Sequence, residues 1–369
     1  MAVDMTAKYQ GSVCGTIIAD EHLGALSPQR GSELCMAVES IFSYAFLYRI
    51  HGDNSFEDKA ELAAFNAFPA AMNPDWCSHQ YVTQTNQIFS GNMIQNPFFN
   101  VVSYANTDGL EPNFPCCTVN HPQAYAKYVA SSYAKINENS LAHILLGPTS
   151  IETGIKGKTV KVNCKQAIHS ILIPGWTTPR ANIEKNGGRS KIVIPDDPGL
   201  HHIAILLGTT TLTLELPMEV RITMRNSSVS IYYGPLLYAF DIPYTETHHQ
   251  PLNWTDRKPL SDEEVHLKSH DYVLEPTELW QYAIDPHSIV VEKSTSTVGD
   301  LPNPIFAKDA PPVFLTVDAW KIAWLADNDT AAWPAIDPVV GKDKKEKIKL
   351  VPLGSARLHI AQFPVAKPQ

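Results

Sequence analysis

The stretch EVRITMRNSSVSIYYGPLLYAFDIP, residues 219–243, reads as consecutive β-strands. In EVRITM and SVSIYYG the apolar positions recur with a period of two, and Val and Ile are frequent. Upstream, the same texture runs back through TLTLELP (211–217), SKIVIP (190–195), SILIPGW (170–176) and TVKVNC (159–164), with turns between them. Residues 137–243 are therefore expected to form an antiparallel β-sandwich. Beyond Tyr244 the pattern loosens. His248-His249, Asn253-Trp254 and the polar stretch to Asp271 read as a connection. PVFLTV (312–317), KIKLVPLG (347–354) and ARLHIAQFPV (356–365) then predict a second β-rich domain over 244–369. GKDKKEKIK (341–349) reads as a solvated loop or hairpin rather than a binding patch.

Before residue 137 the period changes. In SELCMAVESIFSYAFLYRI (32–50), Leu34, Val38, Ile41, Ala45 and Tyr48 fall at helical spacing, and Gly52 stands where a C-cap glycine belongs. Ser55 is expected to cap a second helix, FEDKAELAAFNAF, closed by Pro69. A third is expected over about 122–136. Residues 73–115 are polar and turn-rich without a period, and so long a loop is usually functional. The fold class expected is α+β and multidomain: helical over 1–136, sandwich over 137–243, β-rich over 244–369.

Composition narrows the function classes. Of 369 residues, 44% are hydrophobic and 18% charged, which rules out disorder throughout. No apolar run reaches the ~20 residues of a membrane helix. The balance of 29 basic and 38 acidic residues, −9 in all, would repel a phosphate backbone on average. Neither nucleic acid nor a membrane is expected as partner, whereas a neutral substrate is compatible. The N-terminal MAVDMTAKYQGSVCGT has no basic segment followed by an apolar core, so the expected location is cytoplasmic. Six cysteines are too few for a disulfide scaffold, and free thiols or metal ligands are favoured.

Two cysteine features carry chemistry. One is Glu33-x-Cys35, and the other is the vicinal pair Cys116-Cys117. Adjacent cysteines rarely bridge each other because the geometry is strained. Three thiols and a carboxylate would make a four-ligand zinc set. The bland alternative is a group of unrelated buried thiols. His79-Gln80-Tyr81 could donate hydrogen bonds to a polar substrate, or could order the long loop internally. Cys14, Cys77 and Cys164 match no ligand position.

The ordered motifs GSELCMAVES (31–40), FNAFPAAMNPD (65–75), HQYVTQTNQ (79–87), PCCTVN (115–120), ILIPGW (171–176), YGPLLYAFDIP (233–243) and LVPLGSARLHIAQFPV (350–365) resemble glycoside hydrolase family 127, the β-L-arabinofuranosidase type. The resemblance implies zinc held by Glu33, Cys35, Cys116 and Cys117, with Cys116 as nucleophile. It also implies a general acid/base upstream, best matched by Glu21 in IIADEHLG. The implied activity is retaining hydrolysis of β-L-arabinofuranosides or related glycosides. The family's catalytic domain resembles an (α/α)6 barrel. This chain has room for only part of one, with three or four helices before Cys117. That shortfall opens a second reading, a truncated or repurposed homologue that serves as a binding or partner subunit. It also leads us to expect self-association or a partner chain at the incomplete helical region.

Overall fold

The computed structural model describes residues 2–138, 140–147, 166–206, 209–253, 255–256, 258–294, 304 and 306–368. The TVKVNC segment and Cys164 lie outside the described residues. The chain is a mixed α+β protein with few helices and many antiparallel strands. Its contacts group into two compact units. The first joins residues 1–38, 62–122 and 220–369, and the second joins 39–61 and 123–219.

The first unit is organised by a ten-stranded antiparallel sheet. Its path runs Val220–Arg225, Ser228–Tyr233, Leu236–Asp241, Glu346–Pro352, Val313–Lys321 and Tyr282–Ile284. Alternation sends successive side chains to opposite faces. Ile231 and Tyr238 join one buried cluster with Ile88, Leu274, Trp280, Trp324 and Leu315. Their neighbours Tyr232, Leu237 and Ala239 join another with Val13, Ala70 and Leu353. Because both faces are covered, Ser228–Tyr232 is buried at every position. The segment expected to be a connection is in part a hairpin, Tyr244–His249 pairing with Asp271–Pro276. Its polar residues lack a buried face, so the period-two signal is weak there.

Two short strands in this unit matter for function. Gly31–Glu33 pairs antiparallel with Val82–Gln84, so that Glu33 faces Val82, and Leu34 N–H donates to the Tyr81 carbonyl at 2.9 Å. A Cβ on Gly31 would stand 2.1 Å from Val82 Cγ1 and 2.9 Å from the Thr83 carbonyl, so only glycine fits. The long loop is anchored further on, where Asn86–Gln87 pairs with His359–Ile360.

The helix Leu34–His51 gives its first turn to the first unit and the rest to the second. It ends as expected on Gly52, at φ 66°, whose N–H reaches the Tyr48 carbonyl at 2.7 Å. The next helix is Ser55–Leu62, continued by a π-helical turn, Ala63–Ala67, and Phe68–Ala70. Its cap is Asp53 rather than Ser55: the Asp53 carboxylate accepts the Ser55 N–H at 2.9 Å.

In the second unit, the helix expected over 122–136 ends at Ser131, and Tyr133–Asn137 is a strand paired with Ser140–His143. That sheet continues with Gln166–Leu172 and Leu200–Leu206. A three-stranded sheet of Leu212–Glu215, Asn182–Lys185 and Lys191–Ile192 accompanies it. The cores are Tyr48, Ala142, Ile144, Leu172 and Leu200, and Ile171, Ile173, Ala181, Ile183 and Val193.

Candidate metal centre and active site

Every side chain of the site belongs to the first unit. The strand Gly31–Glu33 delivers Glu33, and the first turn of the following helix delivers Cys35. Cys116 and Cys117 open the short helix Cys116–Asn120. Eighty-odd residues of intervening chain return through Tyr81, which sits beside the start of the helix Leu34–His51. The ligand atoms of Glu33, Cys35, Cys116 and Cys117 all lie within 4.8 Å of one another. Cys35 Sγ and Cys117 Sγ are 3.2 Å apart, and Glu33 Oε1 lies 3.7 Å from Cys116 Sγ and 4.0 Å from Cys117 Sγ. The edges of a tetrahedron with ~2.3 Å metal–sulfur bonds are about 3.7 Å, so these spacings suit zinc. Asn120 donates to Cys35 Sγ at 3.0 Å from the same short helix.

The charges of the donor set point the same way. Burial, with Cys35 next to it, pushes the Glu33 carboxyl up to about 8. Burial pushes Cys116 up to about 11 and Cys117 higher still. Only Cys35 is pulled down, to about 6, chiefly by the hydrogen bond from Cys117. Four acidic groups this close cannot all ionise on their own. A divalent cation is the counter-charge that would let them, so the residues present fit a zinc site.

Tyr81 links this group to Glu21. Its hydroxyl donates to Glu21 Oε1 and lies 3.4 Å from Cys116 Sγ. The Cys116 sulfur and Glu21 Oε1 are thereby held less than about 6 Å apart. Tyr81 is fully buried, and burial, followed by Cys116 and Glu21, drives its phenol far above the ordinary tyrosine range. It remains a neutral donor at every relevant pH.

Of the other residues expected to meet a sugar, His79 and Gln80 are internal struts. His79 is 1% exposed; its ring nitrogens reach Thr118 Oγ1 and the Gln80 carbonyl, both at 3.1 Å. Burial lowers its pKa to about 4. Gln80 bonds the Asn106 carbonyl at 2.5 Å and Gln87 at 3.2 Å. Together they brace the loop and the helix that carries the vicinal cysteines. Cys14 lies against Ser12 at 3.0 Å and Cys77 against the Asp75 carbonyl at 3.6 Å, neither in the four-donor group. What the sequence did not flag is Asp20 and Arg30, whose ion pair flanks Glu21. The only signal was their proximity in sequence to Glu21.

No protein-family profile matches this chain, and neither does any curated protein. Solved structures do. A GH127 β-L-arabinofuranosidase from Geobacillus stearothermophilus T6 superposes with a TM-score of 0.58 at 13% identity, covering 99% of this chain and 55% of that one. A structure described as a glycoside hydrolase gives 0.65 at 12%, covering 99% and 61%. A GH127 β-arabinofuranosidase gives 0.59 at 15%, covering 98% and 55%. The fold is thus shared with family 127 enzymes, as the motifs suggested, and the chain spans between half and two thirds of their length. Among the described residues no helix is long and apolar enough to cross a membrane.

Proposed function

We propose that this chain is a zinc-dependent retaining glycosidase of the family 127 type, acting on β-L-arabinofuranosides or related glycosides. The observation that carries the reading is the Tyr81 hydroxyl, which joins the Glu21 carboxylate to Cys116 at the edge of a Glu/Cys3 group. Glu33, Cys35, Cys116 and Cys117 would hold the zinc, whose charge lets thiols ionise near neutral pH. The Cys116 sulfur attacks the anomeric carbon while Glu21 gives its proton to the departing oxygen. The C–O bond breaks as the C–S bond forms. Glu21, now a carboxylate, takes a proton from water, and that water displaces the sulfur. Two inversions give retention. In this reading the helices of residues 34–70 and 116–131 are part of an (α/α)6 toroid, followed by sandwich and β-rich domains with boundaries near 136 and 243.

The alternative reading is a subunit that binds or completes a partner rather than turning over alone. Zinc content and turnover separate the two. The purified, reduced protein should carry about one zinc per chain, and Cys35→Ala should strip it. Hydrolysis of an aryl β-L-arabinofuranoside should vanish in Cys116→Ser, because an alkoxide is far harder to form than a thiolate. Full turnover by Cys116→Ser would overturn the nucleophile, and zinc without any turnover would favour the subunit.

A further inference from the structure

Glu21 has an unusual setting. Its φ is 69°, a region that residues with a Cβ seldom adopt and that persists only where the surroundings enforce it. It stands at the tip of a tight turn. Ala19 and Leu23 form a backbone bridge, the Asp20 N–H donates to the His22 carbonyl at 3.2 Å, and the Glu33 N–H donates to the Ala19 carbonyl at 3.0 Å. The base of this turn is thus tied to the strand that presents a metal ligand.

Arg30 grips the turn from both sides of Glu21. Its Nε and Nη2 donate to the two carboxylate oxygens of Asp20, and Nη2 also reaches the His22 carbonyl at 3.3 Å. Asp20 is fully buried and, among the described residues, forms an ion pair with Arg30 alone, so the pair is set rigidly. The guanidinium is itself held, 5.6 Å from the ring centre of Phe99, which in turn lies 4.2 Å from the ring of His22. Gly24 packs so closely that a Cβ there would come within 2.9 Å of Arg30 Cβ. The planar fork suits this arrangement, since its separate N–H groups meet the two carboxylate oxygens side by side while one also reaches the carbonyl, a geometry that a lysine's single compact ammonium does not match.

We propose that Arg30 is a positioning residue: by clamping Asp20 and His22 it holds Glu21 in its left-handed conformation with the carboxylate against Tyr81, within reach of Cys116. The proposal rests on the glycosidase reading only for what Glu21 does with its proton. The placement of Glu21 does not depend on it. An ion pair that only stabilised the loop would leave Glu21 where it is when the pair is weakened.

The test compares the full-length zinc-loaded protein with Arg30→Gln, Arg30→Lys and the isosteric Asp20→Asn. Crystal structures should show Glu21 withdrawn from Tyr81 and relaxed to negative φ in Arg30→Gln, with zinc content unchanged, because Arg30 touches none of the four donors. In kinetics, misplacement by ~1 Å costs on the order of 10²-fold. That loss should fall on kcat for alkyl glycosides with poor leaving groups, while aryl glycosides with good ones lose less than about tenfold. Arg30→Lys and Asp20→Asn should lie between. Glu21 still against Tyr81 at positive φ in Arg30→Gln, or equal losses on both substrates, would overturn the proposal. If the unchanged protein hydrolyses no glycoside while Glu21 is still displaced in Arg30→Gln, the glycosidase reading falls and the positioning role stands.

Discussion

Zinc binding should release about three protons per site at pH 7. The number follows from the donor set. At that pH a carboxyl pushed up to about 8 is some nine-tenths protonated, and thiols at about 11 and above are fully so. Cys35, lowered to about 6, is mostly ionised already. Every ligand must be deprotonated to coordinate, so Glu33, Cys116 and Cys117 each lose a proton. The assay is titration calorimetry of the reduced, metal-free protein with zinc in buffers of different ionisation enthalpy, where the slope of observed heat against that enthalpy is the proton count. The apparent affinity should then fall by about 10³ per unit decrease in pH near neutrality, roughly 4 kcal/mol. Cys117→Ser should lower both the affinity and the count. A count below about one would mean the site is already ionised without metal, and the account of its burial and mutual repulsion would be wrong. No heat of binding at all would remove zinc from the mechanism.

Gly31→Ala should lower the thermal midpoint and the zinc content together, at a cost of ~1–3 kcal/mol, because the new methyl collides with Val82 and Thr83 and parts the strands that align Glu33 with Tyr81; unchanged values in both would refute the strand-pair argument. Glu57 is fully buried with neither carboxylate oxygen hydrogen-bonded, and burial, then Glu61, raises it from 4.5 to about 9. Between those values the native state holds a proton that the unfolded chain has lost. Stability present below 4.5 is therefore lost as pH rises toward about 9, at ~1.4 kcal/mol per unit, and Glu57→Gln should flatten denaturant midpoints over pH 5–8 by that slope. Phe42, Phe46 and Ile50 are 45, 52 and 62% exposed along one helix face, roughly 300 Å² of apolar surface. Light scattering should show weak concentration-dependent association that Phe46→Glu abolishes, whereas a monomer at all concentrations would count against this face as a contact surface.

Local pattern carried much of this protein. The helical spacing of Leu34, Val38, Ile41, Ala45 and Tyr48 corresponds to five buried side chains, and the alternation of Ile231 and Tyr232 corresponds to two separate cores. Both are readable because a 3.6 or 2 residue period is a property of neighbours in the chain. The four residues could be nominated from sequence as a candidate ligand set beside the alternative of unrelated buried thiols, and the resemblance to family 127 is what favoured the set. What held them together could not be read. Cys35 and Cys117 meet across eighty-two residues of chain, Tyr81 arrives through the register of two three-residue strands, and the close approach that sets this register needs Gly31. The stop of a helix at Ser131 was hidden because the following YAKIN suits either period, and pairing with Ser140–His143 decided for a strand. For His79 and Gln80 the sequence left two readings open, substrate contact or internal bracing, since a polar side chain does not announce its partner; their buried bonds to backbone carbonyls are seen only in the fold. Beyond nearness in the chain, the clamp of Arg30 on the residues flanking Glu21 has no local signature. It exists because tertiary packing brings one guanidinium to a buried carboxylate and a carbonyl at once.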